Sequence, residues 1–263
     1  MKYILIFYFG TLFNIIQAQE NSLGSSIISK TVLNATSYVG TDEYGSVYFL
    51  QNNVLLKETQ GKTLSYENIA FGKIKQVLIG NPLEILIFYE NFNSVVILDN
   101  QLNEMQKINF SATESNIILG GIGISAQNKI WIYNTIDQQL GLYNLVTHNY
   151  QKVGVPFVNN KMIYLGSFNF FYWIDTKNNL FSCDNYGTKK YLGIIPDYDV
   201  AYISDEKTIC FLKNEIYYIL DIPTGKYWFI DKIFENSKNF YFKNQILSIF
   251  TSKEIINYKI SKP

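Results

Sequence analysis

No stretch of this chain sustains a 3.6-residue apolar period, so helix should be nearly absent. Charge is scarce: 17% of the 263 residues are Asp, Glu, Lys or Arg, against roughly 25% in ordinary soluble domains. The 22 basic and 22 acidic residues cancel, which leaves no basic field to draw nucleic acid or an anionic membrane surface. With His148 as the one histidine, a histidine-rich metal site is excluded, and a Ser-His-Asp set would have to converge on that single position. Cysteine is also thin, with only Cys183 and Cys210. No interior segment reads as a linker, which points to one domain over residues 19–263.

The N-terminus has the layout of a signal peptide over residues 1–18. Lys2 supplies a positive charge, Tyr3 to Ile16 is an apolar core, and Ala18 is the small residue before an expected cleavage at Gln19. The apolar run is short for a membrane span, and no cysteine lies near the cleavage point to carry a lipid. A periplasmic or extracellular location follows, without a transmembrane anchor and without lipoprotein processing.

What the chain has in excess is aromatic surface: 16% of residues, including 21 Tyr and 19 Phe. Wide, flat side chains suit stacked sheets. The stretch Glu84 to Phe110 shows how they are used. Glu84 to Glu90 and Ser94 to Asn100 are almost continuously apolar, while Glu104 to Phe110 alternates, and the turns Asn91 to Asn93 and Gln101 to Asn103 are short and Asn-rich. Two strands buried on both faces are thus followed by one that is half wet.

The same pattern recurs. Second strands begin at Ser46, Glu84, Lys129, Phe170, Thr208 and Gln245, spaced by 38, 45, 41, 38 and 37 residues. The last unit has only three strands, Asn239 to Asn244, Gln245 to Thr251 and Glu254 to Ile260, and an orphan strand, Ser26 to Leu33, precedes the first. Pairing the orphan with Glu254 to Ile260 would remove two open edges and tie the termini together. A period near 40 with four strands per unit resembles the six-bladed β-propellers of the NHL-like or TolB-like kind, over everything after the leader. The expected fold is all-β, with four antiparallel strands per blade and closure by the N-terminal strand; a five-bladed ring with the last unit packed elsewhere is the structural alternative.

Several constellations invite a functional reading. Gly121 to Ala126, GIGISA, fits the dinucleotide fingerprint, but the strand KIWIYN follows where a helix is needed, so the glycines read as an inner strand crowded at the axis. Tyr218 to Trp228, YILDIPTGKYW, resembles the repeat of pyrroloquinoline-quinone-type propellers through Asp221, Thr224, Gly225 and Trp228. In that family the set often only locks neighbouring blades, and here it reads as a turn. His148 falls in a turn between outer strands. Asp42, Glu43, Asp199, Asp205 and Glu206 sit at inner-strand ends, where propeller lactonases hold Ca²⁺, but they come from two units only and a hard cation wants several converging oxygens. The cysteines, placed on neighbouring blades, are expected to be buried free thiols, because face-packed sheets lie too far apart for a disulfide. Sequons stand at Asn34 and Asn109, relevant only to a eukaryotic secretory route.

Two function classes stay open. One is a non-enzymatic scaffold of the bacterial cell envelope that binds another envelope protein, a small ligand or a glycan, with no cofactor, no metal and no catalytic residue. The other is a metal-dependent hydrolase of the lactonase type, which requires at least three oxygen ligands around one axial point. Tyr48, Phe88, Trp131, Trp173 and Tyr217 fall on middle strands, where packing explains them without a ligand.

Overall fold

The computed structural model describes residues 22–113, 116–158, 163–231, 233, 237–251 and 253–261. The expected leader, 1–18, lies outside them, as do the first two residues of the strand expected at Lys161. The chain opens with two strands, β1 (Ser22–Leu23) and β2 (Ser25–Val32), which join the last two of six sheets, five of four strands and one of five. Blade 1 holds β3 (Ser37–Thr41), β4 (Val47–Gln51), β5 (Val54–Thr59) and β6 (Lys62–Tyr66); blade 2 holds β7 (Gln76–Asn81), β8 (Glu84–Tyr89), β9 (Ser94–Leu98) and β10 (Glu104–Asn109). Blade 3 is β11 (Leu119–Ile124), β12 (Lys129–Asn134), β13 (Gln139–Asn144) and β14 (Tyr150–Val153); blade 4 is β15 (Ile163–Gly166), β16 (Phe170–Ile174), β17 (Asn179–Asp184) and β18 (Lys189–Ile194). Blade 5 takes β19 (Val200–Ile203), β20 (Thr208–Lys213), β21 (Ile216–Asp221) and β22 (Tyr227–Ile230), and blade 6 takes β23 (Asn239–Lys243), β24 (Ile246–Phe250) and β25 (Glu254–Ile260). The fold is a six-bladed β-propeller, and helix among the described residues is limited to single 3₁₀ turns such as Ile69–Phe71 and Glu90–Phe92.

Closure follows the expected route. β2 pairs antiparallel with β25, from Ser25 opposite Ile260 to Val32 opposite Glu254, and so becomes the outer strand of blade 6. One feature went unforeseen: β1 lies parallel to β22, with Ser22 opposite Phe229 and Leu23 opposite Ile230. The segment therefore straps blades 5 and 6 together, and Leu23 is buried between them.

The double-sided apolar strands have a simple explanation. Among the described residues the buried apolar side chains fall into six clusters, one in each gap between neighbouring blades. Successive residues of β9 alternate between gaps: Val95 and Ile97 join the cluster shared with blade 3, Val96 and Leu98 the one shared with blade 1. A middle strand is covered on both faces, so its two-residue period is invisible in the sequence. The outer β10 keeps the period, with Ile108 buried between exposed Lys107 and Asn109. Tyr48, Phe88, Trp131, Trp173 and Tyr217 are all buried within these gaps, as packing requires.

At the axis the strands approach closely. A Cβ on Gly123 of β11 would come within 2.6 Å of Gly166 Cα on β15, and one on Gly121 within 2.9 Å of the Tyr164 ring. The GIGISA glycines are thus an axial crowding device. Gly80 offers a contrast, since its virtual Cβ meets only the Ile124 side chain, with the movable Cδ1 tip at 2.5 Å as the one close contact. Gly123→Ala should cost about 1–3 kcal/mol because backbone must move, whereas Gly80→Ala should be nearly neutral in a urea melt. Equal losses at both positions would contradict this reading.

Candidate functional site

Each inner strand starts on the face that carries the blade-to-blade crossovers and the turns between second and third strands; this is the crossover face. The first–second and third–fourth turns lie on the opposite, turn face. On the crossover side, where the inner strands converge, lies a cavity of about 280 Å³ lined from all six blades. Its polar groups come from Ser37, Lys75, Gln76, Asn239 and the tyrosines Tyr38, Tyr164, Tyr202 and Tyr241; the rest is aliphatic, Phe240 and glycine. Among the described residues no carboxylate, histidine or cysteine lines it.

Tyr164 organises the floor. Its hydroxyl donates to Gln76 Oε1 at 2.6 Å and accepts from the Ile122 amide at 3.3 Å, tying blades 2, 3 and 4 together across the axis. Gly121 makes this possible, because a side chain there would displace the ring. On the other side Tyr241 packs against Tyr38 edge-on at 6.2 Å and against Tyr202 at 5.2 Å, while Asn239 Nδ2 donates to the Tyr38 carbonyl. Asn239 Oδ1 is buried and has no partner among the described residues. Lys75, paired with Glu90 at 2.9 Å, stands at the rim.

Burial pushes the Tyr164 and Tyr241 hydroxyls up to about 12, and it drives Tyr202 well above the ordinary tyrosine range, with help from neighbouring Tyr241. These hydroxyls are therefore donors at neutral pH and not bases. The sign for stability follows. A folded value above the unfolded value of about 10 gives a contribution that is full below pH 10 and is lost as pH rises through about 12. The melting temperature should hold up to about pH 10 and then fall, with tyrosinate absorbance from the axial rings appearing only as the protein unfolds. Full tyrosinate absorbance in protein that still melts cooperatively would refute the buried assignment.

The residues singled out in the sequence do not gather at this cavity. Asp42 is buried under the β3–β4 turn, where Oδ1 accepts from the Tyr44 and Ser46 amides and Oδ2 from the Tyr48 hydroxyl at 3.0 Å, with Lys57 Nζ at 4.0 Å. Asp205 accepts from the Lys207 amide, Asp199 from the Asn214 amide, and Glu206 from Ser167 Oγ; Glu43 is exposed in the Asp42 turn. Carboxylates here are used to hold tight turns, the Asx geometry that Asp favours. Among the described residues no group of three or more His, Cys, Asp or Glu is placed to hold a metal. His148 is exposed in the β13–β14 turn with φ 59°, its Nδ1 3.1 Å from the Tyr143 hydroxyl, on the face opposite the cavity mouth. Asp221 Oδ2 accepts from the Thr224 amide and hydroxyl, so the Asp-Thr-Gly set locks the β21–β22 turn.

Cys183 and Cys210 are free and buried on neighbouring blades. The structure adds a reason: Cys183 faces the gap between blades 3 and 4, and Cys210 the gap between blades 5 and 6, so their side chains point apart.

Gln76 and Tyr164 were not singled out in the sequence. The only signal is positional, since both stand within the first two residues of an inner strand, and 88 residues separate them.

No family model and no curated protein matches this chain. Solved structures do. A streptogramin B lyase superposes with a TM-score of 0.61 at 12% identity, covering 90% of this chain and 98% of the lyase. Virginiamycin B lyase from Staphylococcus aureus gives 0.57 at 11% identity, over 84% and 78% of the two chains. A member of the DUF4221 family from Bacteroides vulgatus gives 0.58 at 10% identity, over 93% and 100%. Among the described residues no helix is long and apolar enough to cross a membrane. At such identities the shared property is the fold, and the chain is a six-bladed β-propeller.

Proposed function

We propose that this protein is an exported, non-enzymatic binding module of the bacterial cell envelope, which docks a partner protein on its crossover face. The observation that carries this reading is the chemistry of that face. Its central cavity offers hydroxyls, amides and one ammonium, and the loops and strand ends of that face expose Ile69, Ile118, Ile136, Val155 and Ile194 from blades 1 to 4. Apolar side chains around a polar centre, on a scaffold locked by closure, suit a recognition surface that loses little entropy on binding. The leader-like residues 1–18 support export.

The lactonase-type alternative needs several oxygen ligands at one axial point. The lining supplies two side-chain amide oxygens, and Gln76 Oε1 is already taken by Tyr164. A lyase reading fares no better. A histidine-to-alanine variant of the Staphylococcus aureus lyase is described as catalytically inactive, whereas the one histidine here lies on the far face.

Photo-crosslinking in the native cell tests the proposal. A crosslinking residue in place of Ile69 or Val155 should give a discrete adduct, and one in place of Leu83 on the turn face should not. N-terminal sequencing of the mature protein should begin at Gln19. Retention of Met1 in a cytoplasmic fraction, or identical adducts from both faces, would sink it.

A further inference from the structure

The turn face carries a second concavity that the proposed docking surface does not use. We infer that the cleft between blades 3 and 4 on this face binds an oligosaccharide. Its volume is about 480 Å³, larger than the axial cavity and within the range of small-molecule clefts.

The lining has the two kinds of group that a sugar needs. Gln127, Gln151 and Asn169 line the cleft with exposed amides, and these side chains make no hydrogen bond among the described residues. An amide presents a donor and an acceptor side by side, which matches neighbouring hydroxyls on a pyranose ring. Beside them stands one aromatic face. The Phe170 ring packs toward the core between blades 4 and 5, whereas Tyr186 on the β17–β18 turn is 95% exposed. A ring that bare is an uncovered apolar surface, and its negative π-face attracts the polarised C–H groups on the flat side of a sugar.

The cleft is also held ready. The Phe168 carbonyl at its lip accepts from the Ala126 amide at 3.1 Å, from Asn185 Nδ2 at 3.2 Å and from Ser125 Oγ at 3.4 Å, so the turns of blades 3 and 4 are fastened to each other. Charge sorts the ligand further. Asp184 Oδ1 accepts from the Tyr186 and Thr188 amides, which helps hold the carboxylate below its usual range, chiefly through Thr188. Asp184 therefore keeps its negative charge, and Lys129 is the one basic side chain in the lining, with no ion pair among the described residues. Such a lining takes neutral hexose units and has a cation to spare for a uronate.

Titration calorimetry on the mature chain with cellotetraose, maltotetraose, chitotetraose and trigalacturonate tests this. At least one probe should bind saturably, and Tyr186→Ala and Gln151→Ala should each weaken it about tenfold without changing the thermal melt, since one aromatic platform or one amide hydrogen bond to the ligand is worth about that much. Glu215→Gln, in the exposed β20–β21 turn on the opposite face, should leave binding unchanged. A preference for trigalacturonate that disappears in Lys129→Met would assign the ligand as acidic, and its lack would assign it as neutral. No saturable binding to any of the four, or binding that survives the Tyr186→Ala, Gln151→Ala double variant, overturns the inference.

Discussion

Deleting residues 22–33 should abolish cooperative unfolding. This segment supplies the outer strand of blade 6, the parallel clip on blade 5 and two buried leucines, Leu23 and Leu33. Each fully buried leucine is worth about 1.5–3 kcal/mol, and the total stability of a domain is only about 5–15 kcal/mol. Removal of β2 also turns β25 into an open edge with unpaired backbone from Glu254 to Ile260. The shortened protein should aggregate or give a broad, non-cooperative melt by circular dichroism. A sharp transition only a few degrees lower would mean that the ring holds without its strap.

Asp42→Ala should destabilise the folded chain by about 3–5 kcal/mol, the cost of removing one partner from a buried charged pair. The side chain is fully enclosed and serves Tyr44 N, Ser46 N and the Tyr48 hydroxyl, with Lys57 beside it. Lys57 donates to the Asn100 carbonyl of blade 2 at 2.9 Å, and its ammonium lies over the Tyr48 ring. Loss of the carboxylate would leave a buried cation and a buried hydroxyl short of partners. Asp42→Asn should lose less, because the amide oxygen still accepts from the turn. Urea melts of the two variants decide the matter. A metal-ligand role would have predicted the reverse pattern, a stable Ala variant whose stability no longer responds to divalent cations, and that result would discard the structural reading.

Blade number and closure were legible because both depend on short-range rules. Strand length, Asn-rich turns and a repeat near 40 residues are set within each unit, and the second-strand starts expected at Ser46, Glu84, Lys129, Phe170, Thr208 and Gln245 agree with the observed strands to within one residue. The closure followed from counting: a unit lacking one strand and a strand lacking a unit. β1 escaped notice because a two-residue parallel pairing leaves no pattern. The candidate carboxylates were legible as turn residues, but not the direction in which each side chain points. Asp42 illustrates this, since its burial depends on Tyr48 and Lys57 arriving from β4 and β5.

The linear order of residues by itself determined a ring of six sheets joined by its first long strand, because hydrophobic runs, turn residues and spacing act over a few tens of residues. Only the tertiary structure decided which side chains meet at the axis and in the blade gaps. Tyr164 reaches Gln76, and Asn169 shares a cleft with Gln127, through the angle between sheets. That angle is set by the packing of six separate cores, and no local stretch of sequence encodes it.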